Sequence, residues 1–172
     1  MSAGNVVIRD MTREDVPVVH QMIKELAAYE GVPDGPRLSQ EDLIRDGFET
    51  SPPWYFGLIG ELNGEVVGYA LCNRAYSSWT CRALYIEDLY VRPAARGAGV
   101  ARLILQRLCQ VAVEQNVHRV DWHVLVNNSL ALGFYRRLGA KDLCVVEERT
   151  AMRLPRDRIE AVARGELLPR EQ

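Results

Sequence analysis

Residues 83–101 read Ala-Leu-Tyr-Ile-Glu-Asp-Leu-Tyr-Val-Arg-Pro-Ala-Ala-Arg-Gly-Ala-Gly-Val-Ala: a strand-like run, a proline-marked loop and the start of a helix. In the strand-like part, Leu84 and Ile86 face one way, Glu87 and Asp88 interrupt, and Leu89 and Val91 resume on the other parity. A parity change inside a strand predicts a bulge or bend at the two acids. The following segment, Arg96-Gly97-Ala98-Gly99-Val100-Ala101, lies between strand and helix. Small residues there let backbone N–H groups approach a ligand, and the helix start adds partial positive charge. With the full charge of Arg96, the segment favours a phosphate or pyrophosphate; the plainer alternative is a tight turn with a surface arginine. Two rival phosphate motifs do not fit. A P-loop ends in Gly-Lys-Ser/Thr, whereas this helix continues Arg102-Leu103. A dinucleotide fingerprint needs glycine at position 102, where a long side chain obstructs helix–strand packing.

Working outward, 54–61 and 65–73 read as two strands joined by Leu62-Asn63-Gly64, and Asn-Gly is a strong hairpin signal. Upstream, Val6 to Arg9 reads as a first strand. Thr12 and Asp15 form a capping-box-like helix start, after which Val19, Met22, Ile23 and Leu26 recur at helical spacing. Pro17 falls early, where a helix tolerates it. Ser39 and Asp42 open a shorter helix ending near Gly47. Downstream, 100–115 is an amphipathic helix, with Val100, Leu103, Ile104, Leu108, Val111 and Ala112 on one face. A strand over 119–125 follows, then a helix over 129–138 behind Asn127-Asn128 and closed by Gly139. The runs 141–146 and 150–154 are expected as a final pair of strands, and 157–164 as a short terminal helix. The order βααβββαβαββ is an α/β arrangement around a mostly antiparallel sheet.

The chain has 172 residues, 48% of them hydrophobic and 26% charged, enough for one compact domain with its own core. A formal net charge of -2 gives no electrostatic reason to expect nucleic acid as a partner. The first ten residues carry no apolar segment behind a basic start, so no secretory leader is expected. No stretch reaches the roughly 18–20 apolar residues of a membrane helix, and a cytoplasmic location is the expectation. Cys72, Cys81, Cys109 and Cys144 are scattered, and buried or half-buried free thiols are expected. His20, His118 and His123 show no ligand spacing, so no metal is expected.

The pattern Arg-x-x-Gly-x-Ala at 96–101 resembles the pyrophosphate loop of the GCN5-related N-acetyltransferases (GNAT). Its context agrees: a preceding strand ends Leu89-Tyr90-Val91-Arg92-Pro93, and the following strand–helix carries Asn128 and Tyr135. Within that family, Tyr85-Ile86-Glu87-Asp88-Leu89-Tyr90-Val91, Arg96-Gly97 and Phe134-Tyr135-Arg136-Arg137-Leu138-Gly139-Ala140 resemble the spermidine/spermine (diamine) and the thialysine acetyltransferases. Residues 23–30 and Asp46-Gly47-Phe48 extend the likeness. The resemblance implies a GNAT-like fold, a twisted mixed sheet flanked by helices with splayed central strands. It also implies one N-acetyltransferase domain over 1–172, with a core of about 6–154 and a C-terminal extension. Acetyl-CoA is the implied cosubstrate, a small amine the acceptor and a homodimer the assembly.

Residue roles follow from chemistry and resemblance together. A primary amine of pKa about 10 is mostly protonated at pH 7, so its attack needs a proton acceptor. Glu87, where the strand bends, is the expected base, directly or through a water. Asp88 is expected to bind the ammonium or to fix the bend. By resemblance, the backbone of Leu89, Tyr90 and Val91 pairs with the pantetheine arm, and an N–H near Leu89 serves the thioester oxygen. Arg96, Gly97, Ala98, Gly99, Val100 and Ala101 are the expected pyrophosphate contacts, and Asn128 is an N-cap, a CoA contact or both. Tyr135 is the expected general acid for the departing thiolate, its phenol being close in pKa to a thiol. Tyr29 and Glu30 are the expected substrate contacts at the end of the first helix. Polyamine-type members carry an acid where this chain has Ser77, so the thialysine type fits better there. The alternatives are a protein lysine or N-terminal acetyltransferase and a non-catalytic CoA-binding regulatory domain.

Overall fold

A computed structural model describes residues 4–148 and 151–166. The chain divides into two compact units, Met1–Leu125 and Val126–Gln172. The first is built on a five-stranded sheet of order β1-β2-β3-β4-β5: β1 (Val6–Asp10), β2 (Phe56–Leu62), β3 (Glu65–Ser77), β4 (Cys81–Val91) and β5 (Arg119–Trp122). The first four pair antiparallel, and β5 runs parallel to β4. Both strands of the expected hairpin form around Asn63 and Gly64, each at positive φ. Trp54 stays outside, 74% exposed, because β2 begins only at Phe56.

Helix α1 (Val16–Tyr29) follows a single 3-10 turn, Arg13–Asp15. The Asp15 carboxylate accepts from the Thr12 amide and hydroxyl, as the capping pattern predicts. It also takes a bidentate ion pair from Arg9, whose Nη1 and Nη2 lie 2.6 and 2.8 Å away, while Arg9 Nε donates to Glu61. One guanidinium therefore ties β1 and β2 to the start of α1. The apolar stripe of α1, Val16, Val19, Met22 and Ile23, packs on Ile59, Tyr69, Leu71 and Tyr90 of the sheet. Helix α2 (Gln40–Ile44), capped by Ser39 and Asp42, covers the same face through Leu43 and runs into a π turn, Arg45–Glu49.

Helix α3 (Val100–Glu114) covers the opposite face with Val100, Ile104, Leu105, Leu108, Val111 and Ala112 buried. Its first turn comes so close to β2 that a Cβ on Gly60 would lie 2.5 Å from Val100 Cγ1. Only glycine allows that approach.

The second unit holds α4 (Ser129–Arg137), α5 (Leu143–Val146) and α6 (Arg156–Ala163). Here the expected final strands are corrected. Residues 143–146 form a helical turn, because the Asp142 side chain accepts from the Cys144 amide and its carbonyl from Val145 and Val146. That local capping satisfies the backbone without a strand partner. Residues 151–154 carry no strand, and position 150 of the proposed pair lies outside the described residues. The cysteine expectation also needs correction. All four thiols are free, but only Cys72 is buried; Cys81, Cys109 and Cys144 are exposed. Cys81 sits at the tip of the β3–β4 hairpin and the other two on outward faces of helical segments.

Candidate active site

The bulge that residue parity predicts is present. Leu71 pairs with Asp88 and Cys72 with Ile86, so Glu87 is the extra residue of β4. Two consequences follow. Leu84, Ile86, Leu89 and Val91 all come to the α3 face, because the extra residue restores their parity. Glu87 and Asp88 both turn to the α1–α2 face, where alternation alone would have separated them. Glu87 is exposed and lines a cleft of about 480 Å³ with Leu43, Asp46, Tyr55, Leu71 and Arg74.

Asp88 is half-buried and accepts a 2.9 Å hydrogen bond from the hydroxyl of Tyr69, which is fully buried. Burial pushes the Asp88 carboxyl up to about 6; the Tyr69 bond opposes this, and the charges of Glu87 and Glu30 add to it. The same burial, with Asp88 alongside, drives the Tyr69 phenol far above its ordinary range. The tyrosine is therefore a permanent donor. Nothing in the sequence marked Tyr69 as a partner, since a tyrosine in a buried strand reads as core.

Beyond the bulge the sheet opens. β5 pairs with β4 only over Ala83–Ile86, so from Glu87 to Val91 the β5-side edge of β4 has no ladder partner among the described residues. This is the splay expected of the central strands. The edge holding Leu89, Tyr90 and Val91 leads through Arg92 and a 3-10 turn, Pro93–Ala95, into Arg96 and Gly97. Gly99 is the N-cap of α3 at φ 87°, and nothing lies within 4 Å of where its Cβ would be. No side chain caps this helix start, so its first N–H groups remain available to an anion. Val100 and Ala101 supply the first two of them. The loop thus fits a phosphate-bearing ligand.

Arg96 is more engaged than its sequence position suggests. Its Nε donates to the Val91 carbonyl at 3.1 Å, and its guanidinium stacks on Tyr29 at 4.7 Å and faces Tyr90 at 6.0 Å. Tyr29, expected at the substrate, is therefore brought beside the anion loop. Glu30, exposed at the end of α1, acts on the Asp88 side through its charge.

In the second unit, Asn128 caps α4, its Oδ1 accepting from the Ala131 amide at 3.1 Å. That satisfies the capping half of its expected role. Tyr135 lies on α4, half-buried, and burial raises its phenol. The histidines are engaged singly: His20 Nε2 donates to the Leu38 carbonyl, and His123 pairs with the Tyr85 hydroxyl. Among the described residues no group of three His, Cys, Asp or Glu side chains could hold a metal ion. Among them, too, no helix is long and apolar enough to cross a membrane.

A bulged strand carrying two acids, a splayed edge and an uncapped helix start agree with comparisons to known proteins. The family described as "Acetyltransferase (GNAT) family" matches residues 19–140. The chain belongs to that family. Among curated proteins it is 37% identical to the thialysine N-epsilon-acetyltransferase of Bos taurus, over 83% of this chain and 88% of that protein. It is 35% identical to the human spermidine/spermine N(1)-acetyltransferase-like protein 1, over 88% of this chain but 23% of that longer protein. Among solved structures, an aminoglycoside N-acetyltransferase in complex with CoA superposes with a TM-score of 0.68 at 18% identity, covering 89% of this chain and 96% of that one.

Proposed function

We propose that this protein transfers the acetyl group of acetyl-CoA to a primary amine of a small diamine, a thialysine-like amino acid or a polyamine. The observation that carries the reading is the bulge at Glu87, which turns two carboxylates to one face at the point where β4 leaves β5. The relatives named for thialysine and spermidine/spermine acetylation support the acceptor class.

When bound, acetyl-CoA supplies an activated thioester. The residues of this chain do the rest. The backbone of Leu89, Tyr90 and Val91 offers an open strand edge to an extended ligand arm. The N–H groups of the Gly97–Ala101 segment and the free Nη donors of Arg96 hold phosphate oxygens. Asn128 adds a contact beside its capping bond. Asp88 holds the incoming ammonium, with Glu30 and Tyr29 around the same end of α1. Glu87 takes the proton, directly or through a water, so that a neutral nitrogen attacks. Tyr135 returns a proton to the departing thiolate. A homodimer acting in the cytoplasm completes the reading, and light scattering reads the first of these.

An acetyl-CoA-dependent thiol-release assay against diamines, polyamines, thialysine, lysine and lysine peptides tests the proposal. Turnover of at least one small diamine or amino acid is expected. Negligible turnover of all of them, with turnover of peptides, would replace this reading with a protein acetyltransferase.

A further inference from the structure

Tyr69 and Asp88 meet beside the bulge. In the β3–β4 ladder Tyr69 stands opposite Tyr90 and Leu71 opposite Asp88, so the Tyr69 hydroxyl reaches Asp88 along a diagonal, 2.9 Å from Oδ2. Diagonal neighbours lie about 7–8 Å apart, within reach of an aromatic side chain. The Tyr69 ring is 0% exposed, shares one apolar cluster with Val19, Met22 and Ile23 of α1, and meets the Tyr90 ring at 6.4 Å between centroids. A phenylalanine ring would fill the same space, and a hydroxyl in a core costs free energy unless it is bonded. Asp88 therefore accounts for the hydroxyl, and packing does not. Among the described residues Asp88 accepts no other side-chain hydrogen bond, and no fully buried side-chain oxygen lacks a partner, so its Oδ1 remains open to solvent.

We propose that Tyr69 is a positioning residue for acetyl transfer: its hydroxyl holds Oδ2, so that Asp88 meets the incoming ammonium through Oδ1 as a fixed, ionised carboxylate. The inference rests on the reading of Asp88 as the group that holds the ammonium. A bulge disrupts the ladder locally, so strand pairing alone does not fix where Asp88 points. The Tyr69 bond supplies that constraint from a packed core. It also works on charge. Burial is the largest influence on Asp88 and favours the protonated form; the Tyr69 bond opposes it, while Glu87 on β4 and Glu30 at the end of α1 add to it. The other acids on this side are committed: Glu25 of α1 to Arg92, and Asp42 and Asp46 to Arg45. Cys72 of β3 and Tyr90 of β4 stay protonated, the thiol pushed up to about 12 by burial and the charge of Asp88, the phenol raised chiefly by burial. Without the Tyr69 hydroxyl, nothing in this surround offsets the burial of Asp88, and the acceptor would meet a neutral carboxyl.

The test is Tyr69→Phe, which deletes the hydroxyl and keeps the ring. Losing a hydrogen bond to a charged group should move the ascending limb of kcat/KM upward by about one to two pH units. At about pH 6.5, kcat/KM should fall roughly 3- to 25-fold through the KM for the acceptor, and the deficit should close by about pH 9. The KM for acetyl-CoA should not change. A ring-fluorinated tyrosine at position 69 keeps the donor and makes it more acidic, so there the limb should move downward. Carbon-detected NMR titration of the Asp88 carboxyl reads the same two shifts without turnover. A Tyr69→Phe limb that stays near pH 6, or a loss equal at every pH, overturns the inference while leaving the acetyltransferase reading intact. Should Tyr69→Phe not fold, the fluorinated protein decides, and a limb that fails to move downward overturns it. Failure to acetylate any amine overturns the acetyltransferase reading instead. The carboxyl titration then decides on Tyr69 alone, and equal Asp88 midpoints in Tyr69→Phe and wild type would sink it.

Discussion

Asp88 shows how one carboxyl can serve function against stability. Its folded value of about 6 exceeds the usual 3.8, chiefly through burial. The folded state therefore holds this proton more tightly than the unfolded chain. The stability it contributes is complete below the usual value and is lost as the pH rises through about 6. Asp88→Asn should accordingly stabilise the protein at pH 8 by roughly 1–2 kcal/mol, read by thermal melting, and flatten the fall in stability between about pH 4 and 6. Activity should move the other way: the ascending limb of kcat/KM near pH 6 should disappear along with most of the turnover. Tyr135→Phe removes the proposed acid while keeping the ring, and kcat should fall at least tenfold. Equal rates for Tyr135→Phe and wild type between pH 6 and 9 would remove Tyr135 from the mechanism. At this scale the sequence announced the acids through broken alternation. It could not announce their environment, because the Tyr69 hydroxyl that reaches Asp88 comes from nineteen positions upstream across the sheet.

At the scale of elements, the anion loop depends on how closely α3 seats on the sheet. A Cβ at Gly60 would meet Val100 Cγ1 at 2.5 Å and Ile104 Cδ1 at 3.2 Å, and both are stiff, buried side chains. Gly60→Ala should cost about 1–3 kcal/mol and push the first turn of α3 outward. Because that turn presents the N–H groups after Gly99, the KM for acetyl-CoA should rise as well, which steady-state kinetics will show. A variant as stable as wild type with unchanged KM would mean that the helix start tolerates displacement. The elements of the first unit were legible because their signals are local: capping boxes at Thr12 and Ser39, an Asn-Gly turn, and apolar spacing in α1 and α3. The run 141–146 is helical rather than a strand because Asp142 offers the backbone a cap at hand, and that short-range bond outweighs β-branched composition at Val145 and Val146.

For the molecule as a whole, the Arg9 cluster is the acid-sensitive joint of the first unit. The Arg9 hydrogen bonds hold the Asp15 carboxyl below its usual 3.8, and Asp15 is only 6% exposed. Its contribution is therefore complete above that value and is lost as the pH falls through the lower folded value. Asp15→Asn should cost roughly 2–3 kcal/mol at pH 7, because it leaves Arg9 with one partner, and the penalty should shrink steadily as the pH falls below the usual carboxylate value. Denaturant melts at pH 7 and at lower pH measure both. What the sequence alone determined is periodic or local: the helices and strands of the first unit, the bulge at Glu87, and the glycine-bearing helix start beside Arg96. Each follows from side-chain alternation, backbone freedom or capping within a few residues. Tertiary structure alone decided which groups share a space. It set the Tyr69–Asp88 bond and the stacking of Arg96 on Tyr29, since strand pairing and helix packing join residues whose separation along the chain carries no local signature.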